Sequence, residues 1–200
     1  MDNFIIATNN KGKLREFREL MADLPVKVCS LAEFPEVGEI IENGNSFAEN
    51  AMIKAQTVFN VTGCAVLADD SGLEVDALDG APGIYSARYA GPQKDDAANN
   101  DKLLKAMVDV PDEARGAQFH CAVAVIDKTG KHYTAEGIIR GMILREFRGD
   151  DGFGYDPLFF IPELNKTTAE LSIAEKNAIS HRGQATAAMM EILRRQVYPC

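Results

Sequence analysis

Apolar positions along the chain switch repeatedly between strand-like runs and helical spacing. Phe4-Ile5-Ile6-Ala7 is a short apolar run with a β-branched centre, which predicts a strand. The polar stretch Thr8-Asn9-Asn10-Lys11-Gly12-Lys13 then reads as a loop. Leu14, Phe17, Leu20 and Met21 recur at helical spacing, with Arg15, Glu16, Arg18 and Glu19 between them, so an amphipathic helix is predicted to end before Pro25. Val26 to Leu31 alternates in part and suggests a short strand, and the acidic, glycine-containing stretch 33–45 suggests a loop holding Glu42. Ser46-Phe47-Ala48-Glu49 is a capping box, and Phe47, Ala51, Ala55, Val58 and Phe59 continue one helical face to Gly63. A short buried strand is predicted over Gly63–Ala68; it stops at Asp69-Asp70 and is followed by the turn-forming pair Ser71-Gly72.

Beyond that turn, Leu73 and Val75 resume an alternation that Asp79-Gly80-Ala81-Pro82-Gly83 interrupts. Asp95 and Asp96 open a predicted helix carrying Leu103, Leu104 and Met107, whose Asp, Asn and Lys residues read as a solvated face. Ala117 to Ile126 is apolar enough on both sides for a central strand. Lys128-Thr129-Gly130-Lys131 then turns the chain into a partner strand, His132 to Arg140, so the sheet is mixed. The glycine- and aromatic-rich loop 150–157 leads to the apolar run Leu158–Ile161. Ser172 opens a second capping box, and Ser180-His181-Arg182-Gly183 precedes a last amphipathic helix with Ala187, Met190, Leu193 and Val197 on its apolar face.

Composition narrows the partners. Two hundred residues, 46% of them hydrophobic, suffice for one large domain or two small lobes. A formal charge of -9 argues against nucleic acid and anionic membranes, both of which attract an excess of Lys and Arg. No basic, apolar leader or membrane-length run is visible, and the expectation is a soluble, intracellular, cytoplasmic protein. Cys29, Cys64, Cys121 and Cys200 lack metal-site or disulfide-framework spacing. The acceptor patterns at Asn60 and Asn165 carry no weight without secretion.

The loops collect the chemistry. They hold carboxylates (Glu42, Asp69, Asp70), cations (Lys11, Lys13, Lys176, Arg182) and rings among glycines (Phe153, Tyr155). Phosphates call for cations and backbone amides at a helix start, Mg²⁺ for oxygen ligands that bridge phosphates, and a base for a ring. Each part also has a commoner structural explanation: Asp69-Asp70-Ser71-Gly72 as a surface turn, Lys11-Gly12-Lys13 as a solvated loop. Neighbouring strand residues face opposite sides, so at most one of the two aspartates enters a given site unless the backbone bends. His181 and Arg182 sit at a helix start, where a cation is disfavoured unless an anion lies beside it.

Six motifs, Thr8–Lys13, Ser46–Ala51, Ala68–Leu73, Gly80–Tyr89, Gly152–Pro157 and Ser180–Gln184, resemble the inosine triphosphate pyrophosphatase family in order and spacing from residue 3 to about 195. In bacteria this is the RdgB/Ham1 type of non-canonical purine NTP pyrophosphatase. The resemblance implies a single two-lobed α/β domain over 1–200, built on a long mixed β-sheet flanked by helices, with the active site in the cleft between lobes, and a homodimer. It further implies Mg²⁺-dependent hydrolysis of ITP, dITP and XTP to the monophosphate and pyrophosphate. On this reading Asp70 is the proton acceptor, and Asp70, Asp69 and Glu42 are metal ligands. Thr8, Asn9, Asn10, Lys11, Gly12 and Lys13 hold phosphates, Ser71 touches substrate, and Phe153, Gly154, Tyr155, Asp156, Lys176, His181 and Arg182 form the base and phosphate pocket. Two other classes stay open, a nucleotide-binding sensor without turnover and a broad-specificity nucleotide pyrophosphatase.

Overall fold

The computed structural model describes residues 2–197, so Cys200 lies outside the described residues. Among the described residues seven strands and five α-helices follow in the order β1 (Asn3–Ile6), α1 (Lys11–Leu20), β2 (Lys27–Ser30), α2 (Phe47–Thr62), β3 (Ala65–Val75), α3 (Asp96–Ala106), β4 (Gly116–Ile126), β5 (His132–Ile143), β6 (Phe159–Ile161), β7 (Lys166–Thr167), α4 (Ile173–Ile179) and α5 (His181–Gln196). The strands form one sheet in the order β2-β1-β3-β4-β5-β6-β7. It is mixed: β1 pairs in parallel with β2 and β3, whereas β6 is antiparallel to both β5 and β7. The predicted α/β class with a mixed sheet is therefore observed.

The chain divides into two compact units. The first comprises 1–70, 121–137 and 181–200, the second 71–120 and 138–180. In the first unit, Phe4, Ile6, Ala65, Leu67, Cys121, Val123 and Val125 share a core with Phe17 of α1, with Met21 at its C-cap and with Ala185, Met189, Met190 and Leu193 of α5. The register Phe4↔Ala65 and Ile6↔Leu67 puts alternate residues of β1 and β3 on that face, as the period of a strand requires. In the second unit, Leu73, Val75, Leu103, Met107, Phe119, Tyr155, Leu158 and Phe159 form the core.

Two boundaries and two helix faces differ from the sequence reading. The strand expected to end at Ala68 runs on as β3 through Asp69, Asp70, Ser71 and Gly72 to Val75, so no turn occurs there. Ser71-Gly72 yields to the strand because Leu73 and Val75 are wholly buried and hold the alternation in place. The helix expected from Leu14 begins at Lys11, with Asn10 as its cap. The α3 face read as solvated contains buried Asn99 and Asn100. Ala187 is exposed, and α5 instead buries Ala185, Thr186, Met189, Met190 and Leu193. Among the described residues no helix is long and apolar enough to cross a membrane.

Gly137 of β5 brings α5 close to the sheet. A Cβ there would overlap the His181 carbonyl oxygen and lie 2.7 Å from the Ala185 nitrogen and 2.8 Å from the Gln184 Cβ. Two of these three atoms are backbone and cannot swing aside. Gly137→Ala is expected to lower stability by about 1–3 kcal/mol in urea titration, because α5 must shift; an unchanged midpoint would show that the helix has slack.

Candidate active site

Adjacent aspartates on an unbent strand diverge, and β3 separates Asp69 from Asp70 in this way. Asp69 is 2% exposed and accepts a hydrogen bond from Lys13 Nζ at 2.8 Å. Arg182 Nε lies 3.5 Å from the same oxygen, and Cys121 Sγ at 3.9 Å. Arg182 is ion-paired in turn with Glu16 of α1, and both are buried. The anion that a cation at the start of α5 calls for is thus supplied by the protein's own carboxylates. Burial opposes ionisation of Asp69, but Lys13, Arg182 and Lys54 outweigh it and hold the carboxyl well below the usual carboxylate range. Burial also works against the Arg182 guanidinium, and Asp69 and Glu16 reverse the sign, so its charge is secure. Beside them burial, reinforced by Asp69, pushes the Cys121 thiol up to about 12, leaving it protonated at neutral pH.

Asp70 turns toward α2. Its Oδ2 accepts from Asn50 Nδ2 at 3.1 Å and its Oδ1 from Lys54 Nζ at 3.3 Å. The same ammonium donates to Glu42 Oε2 at 3.0 Å. Asn50 and Lys54 are one helical turn apart, which places both over the strand. Ser46 caps α2, and Asn50 Oδ1 accepts from the Gly44 N–H at 2.8 Å, tying the loop that carries Glu42 to the helix. Burial pushes the Asp70 carboxyl above its ordinary value; Lys54 and Lys13 offset this in part, and Glu42 adds to it. For Lys54, burial disfavours the charge, but Asp70, Asp69 and Glu42 outweigh it and raise its pKa. A carboxyl held among donors with a raised affinity for a proton is suited to general base work.

The polar loop before α1 is partly self-satisfied. Asn10 Oδ1 accepts from the Gly12 and Lys13 N–H groups at 2.8 and 3.1 Å, and Thr8 Oγ1 accepts from the Asn10 N–H at 3.2 Å. Lys13 points to Asp69, whereas exposed Lys11 lines a groove on α1 with Arg15 and Arg18. Asn9 is exposed. His181 is buried in the first turn of α5.

The second unit holds a separate cluster. Asp156 Oδ2 accepts from Lys176 Nζ at 2.7 Å and from the Phe153 N–H at 2.9 Å, and its Oδ1 accepts from Thr168 Oγ1 at 2.9 Å. The Lys176 ammonium lies 4.6 Å from the centre of the Phe153 ring. Gly152 has φ +87°, and a Cβ on it would run into the Asp156 carboxylate, so only glycine lets the loop fold back on that side chain. Tyr155 is buried and donates its hydroxyl to the Ser86 carbonyl at 2.8 Å, which makes it a core residue of this unit, while Phe153 is half-buried. Ser71 is half-buried.

Residues 4–192 match the model of the Ham1 family. The chain belongs to that family. Its relatives include the dITP/XTP pyrophosphatase of Desulforamulus reducens, 54% identical over 191 residues that span 96% of this chain and 95% of that protein. The dITP/XTP pyrophosphatase of Geobacter sulfurreducens is 51% identical over 193 residues, 96% of this chain and 97% of the relative. Among solved structures, a HAM1 protein from Coxiella burnetii superposes with a TM-score of 0.88 at 44% identity, covering 98% of this chain and all of that one. The Staphylococcus aureus Ham1 protein gives 0.86 at 39%, covering 97% and 99%.

Of the three carboxylates that the family resemblance implies as metal ligands, the structure brings Glu42 and Asp70 onto one ammonium and sends Asp69 to a different set of partners. Among the described residues no three His, Cys, Asp or Glu side chains converge as a preformed metal cage would require. Lys54 and Glu16 escape the sequence reading. The signal for Lys54 is a cation on the apolar face of α2, next to Ala51 and Ala55. Glu16 carries no comparable signal, being one of several charges on a short amphipathic helix.

Asp69→Asn leaves Lys13 and Arg182 without their shared counter-charge and is expected to cost about 3–5 kcal/mol. Because the folded-state pKa of Asp69 is depressed, its contribution is present above the unfolded value and lost as pH falls through the folded value. Urea titrations of both proteins should therefore show a gap at pH 7 that narrows below about pH 4; a gap independent of pH would remove the ion pair as its cause.

Proposed function

We propose that the chain is a nucleoside triphosphate pyrophosphatase acting on non-canonical purine nucleotides, ITP, dITP and XTP. Membership of the Ham1 family and the names of relatives about half identical over nearly the whole chain support this reading. The observation that carries the chemistry is Asp70, 7% exposed, with a raised proton affinity and the donors Asn50 and Lys54 against its oxygens.

In the reaction, water attacks the α-phosphorus and its proton passes to Asp70. The bond from the α-phosphorus to the bridging oxygen breaks, and pyrophosphate leaves with that oxygen. Lys54 steadies the Asp70 carboxylate for the attack, and Lys13, held by Asp69, offers positive charge to the phosphates. Glu42 and Asp70 form the kind of oxygen donor set that Mg²⁺ uses when phosphates complete its shell. Bound there, the ion would neutralise charge on the phosphoryl oxygens.

The base falls to the second unit. Phe153 offers a ring to the purine, and Lys176, anchored by Asp156, offers a donor to a 6-oxo group. Adenine presents an amino donor at that position, and two facing donors cost about 1–3 kcal/mol per buried group. Guanine shares the 6-oxo group, so its exclusion rests on contacts at the 2-position.

Release of pyrophosphate and of phosphate from ITP, XTP, ATP and GTP, with and without Mg²⁺, tests the proposal. Pyrophosphate from ITP and XTP in preference to ATP is expected. Absence of hydrolysis points to a nucleotide sensor, and equal hydrolysis of ATP to a broad-specificity enzyme. Asp70→Asn should abolish pyrophosphate release while ITP still binds in calorimetry; near-normal turnover of that variant would remove Asp70 from the mechanism. Lys54→Met is expected to lower kcat by about 10²-fold or more, since a pre-positioned charge is lost at the reacting centre.

A further inference from the structure

Helix α3 grips the aromatic loop at one residue from both sides. The Gly154 N–H donates to Asp96 Oδ2 at 2.7 Å, and the Gly154 carbonyl accepts from Asn100 Nδ2 at 2.8 Å. Asp96 and Asn100 are four residues apart on one helix, and Asn100 Nδ2 also donates to the Asp96 carbonyl at 2.9 Å, so the two arms of the clip are braced against each other. Gly154 has φ +62°, a left-handed conformation that L side chains rarely adopt, and nothing lies within 4 Å of where a Cβ would be. The clip binds both the N–H and the carbonyl of this residue. The neighbouring Asn99 performs the same service for a second segment: its Oδ1 accepts from the Ala90 N–H at 2.6 Å and its Nδ2 donates to the Ala87 carbonyl at 3.2 Å. Both Asn99 and Asn100 are buried, at 2% and 4% exposure, and an asparagine buried in a helix interior needs such partners.

We propose that Asp96 and Asn100 are positioning residues for purine recognition, holding Gly154 so that Phe153 keeps the orientation in which it meets the base. This inference rests on the nucleotide reading above and deepens it. Phe153 precedes Gly154 directly, and its own N–H is fixed by Asp156, so the peptide between a clamped residue 153 and a clamped residue 154 has little freedom. Asp96 and Asn100 act on the backbone of the aromatic loop, so their effect should fall on base binding and spare the chemical step.

The experiment compares wild type, Asp96→Ala, Asp96→Asn and Asn100→Ala. Asp96 is exposed, so the first variant leaves the core untouched. Asp96→Ala and Asn100→Ala are expected to raise KM for ITP about tenfold with kcat within about twofold, as for loss of a supporting shell. Asp96→Asn keeps an acceptor for the Gly154 N–H and should retain the wild-type KM. Affinity for inorganic tripolyphosphate, which has no base, should be the same in all four proteins. KM for ITP unchanged in both alanine variants, or equal weakening of ITP and tripolyphosphate, would overturn the positioning role. Amide exchange at Gly154 reads the clip without nucleotide, and faster exchange in Asp96→Ala is expected; unchanged exchange overturns the clip itself. A wild-type protein that binds no ITP while Gly154 exchange responds as expected overturns the nucleotide reading, and with it the role in recognition, while leaving the clip intact.

Discussion

Two adjacent carboxylates on a strand that does not bend face opposite sides, and the organisation of the first unit follows from that constraint. β3 passes straight through Asp69 and Asp70, so the pleat sends one side chain among Lys13, Arg182 and Cys121 and the other toward Asn50 and Lys54. The two environments push the carboxyl groups apart in acidity, downward for Asp69 and upward for Asp70. A pair of titratable groups separated in this way is a familiar route to one structural anion and one reactive base at the same pH.

The buried charges on the Asp69 side are balanced pairwise, Glu16 with Arg182 and Asp69 with Lys13 and Arg182. Removing two cations and two carboxylates from water is costly, and the arrangement is tolerable only because every charge has an opposite one within reach. This network joins α1, β3 and α5, elements far apart in sequence, and fixes the direction of Lys13. The Asp70 side is balanced less fully, with one ammonium facing two carboxylates, Glu42 and Asp70. An excess of negative charge there is what a divalent cation or an incoming proton would relieve.

The aromatic loop of the second unit is organised on a different principle. Hydrogen bonds to backbone groups dominate: Asp156 to Phe153, Asp96 and Asn100 to Gly154, Tyr155 to Ser86. Glycines at 152 and 154 permit the left-handed backbone, and side chains from α3 and from Asp156 then hold it. The loop is thus ordered by its surroundings.

Periodicity alone was enough to locate α2, α3, β4 and β5 and to make the sheet mixed, because long apolar patterns with capping residues leave little choice. The residue types of the catalytic outline, carboxylates, cations and rings among glycines, were equally visible, and the order of the six motifs pointed to the family. Three things depended on tertiary structure. Ser71-Gly72 reads locally as a turn, yet remains strand because Leu73 and Val75 beyond it are claimed by a core assembled from distant residues. Asn99 and Asn100 look like a solvated face until the segments they bind are folded against α3. Lys54 and Glu16 have no sequence neighbours that announce their partners, which lie 16 and 166 residues away, at Asp70 and Arg182. Local propensity sets elements and alternation, whereas the pairing of buried charges is decided only when the chain has brought distant segments together.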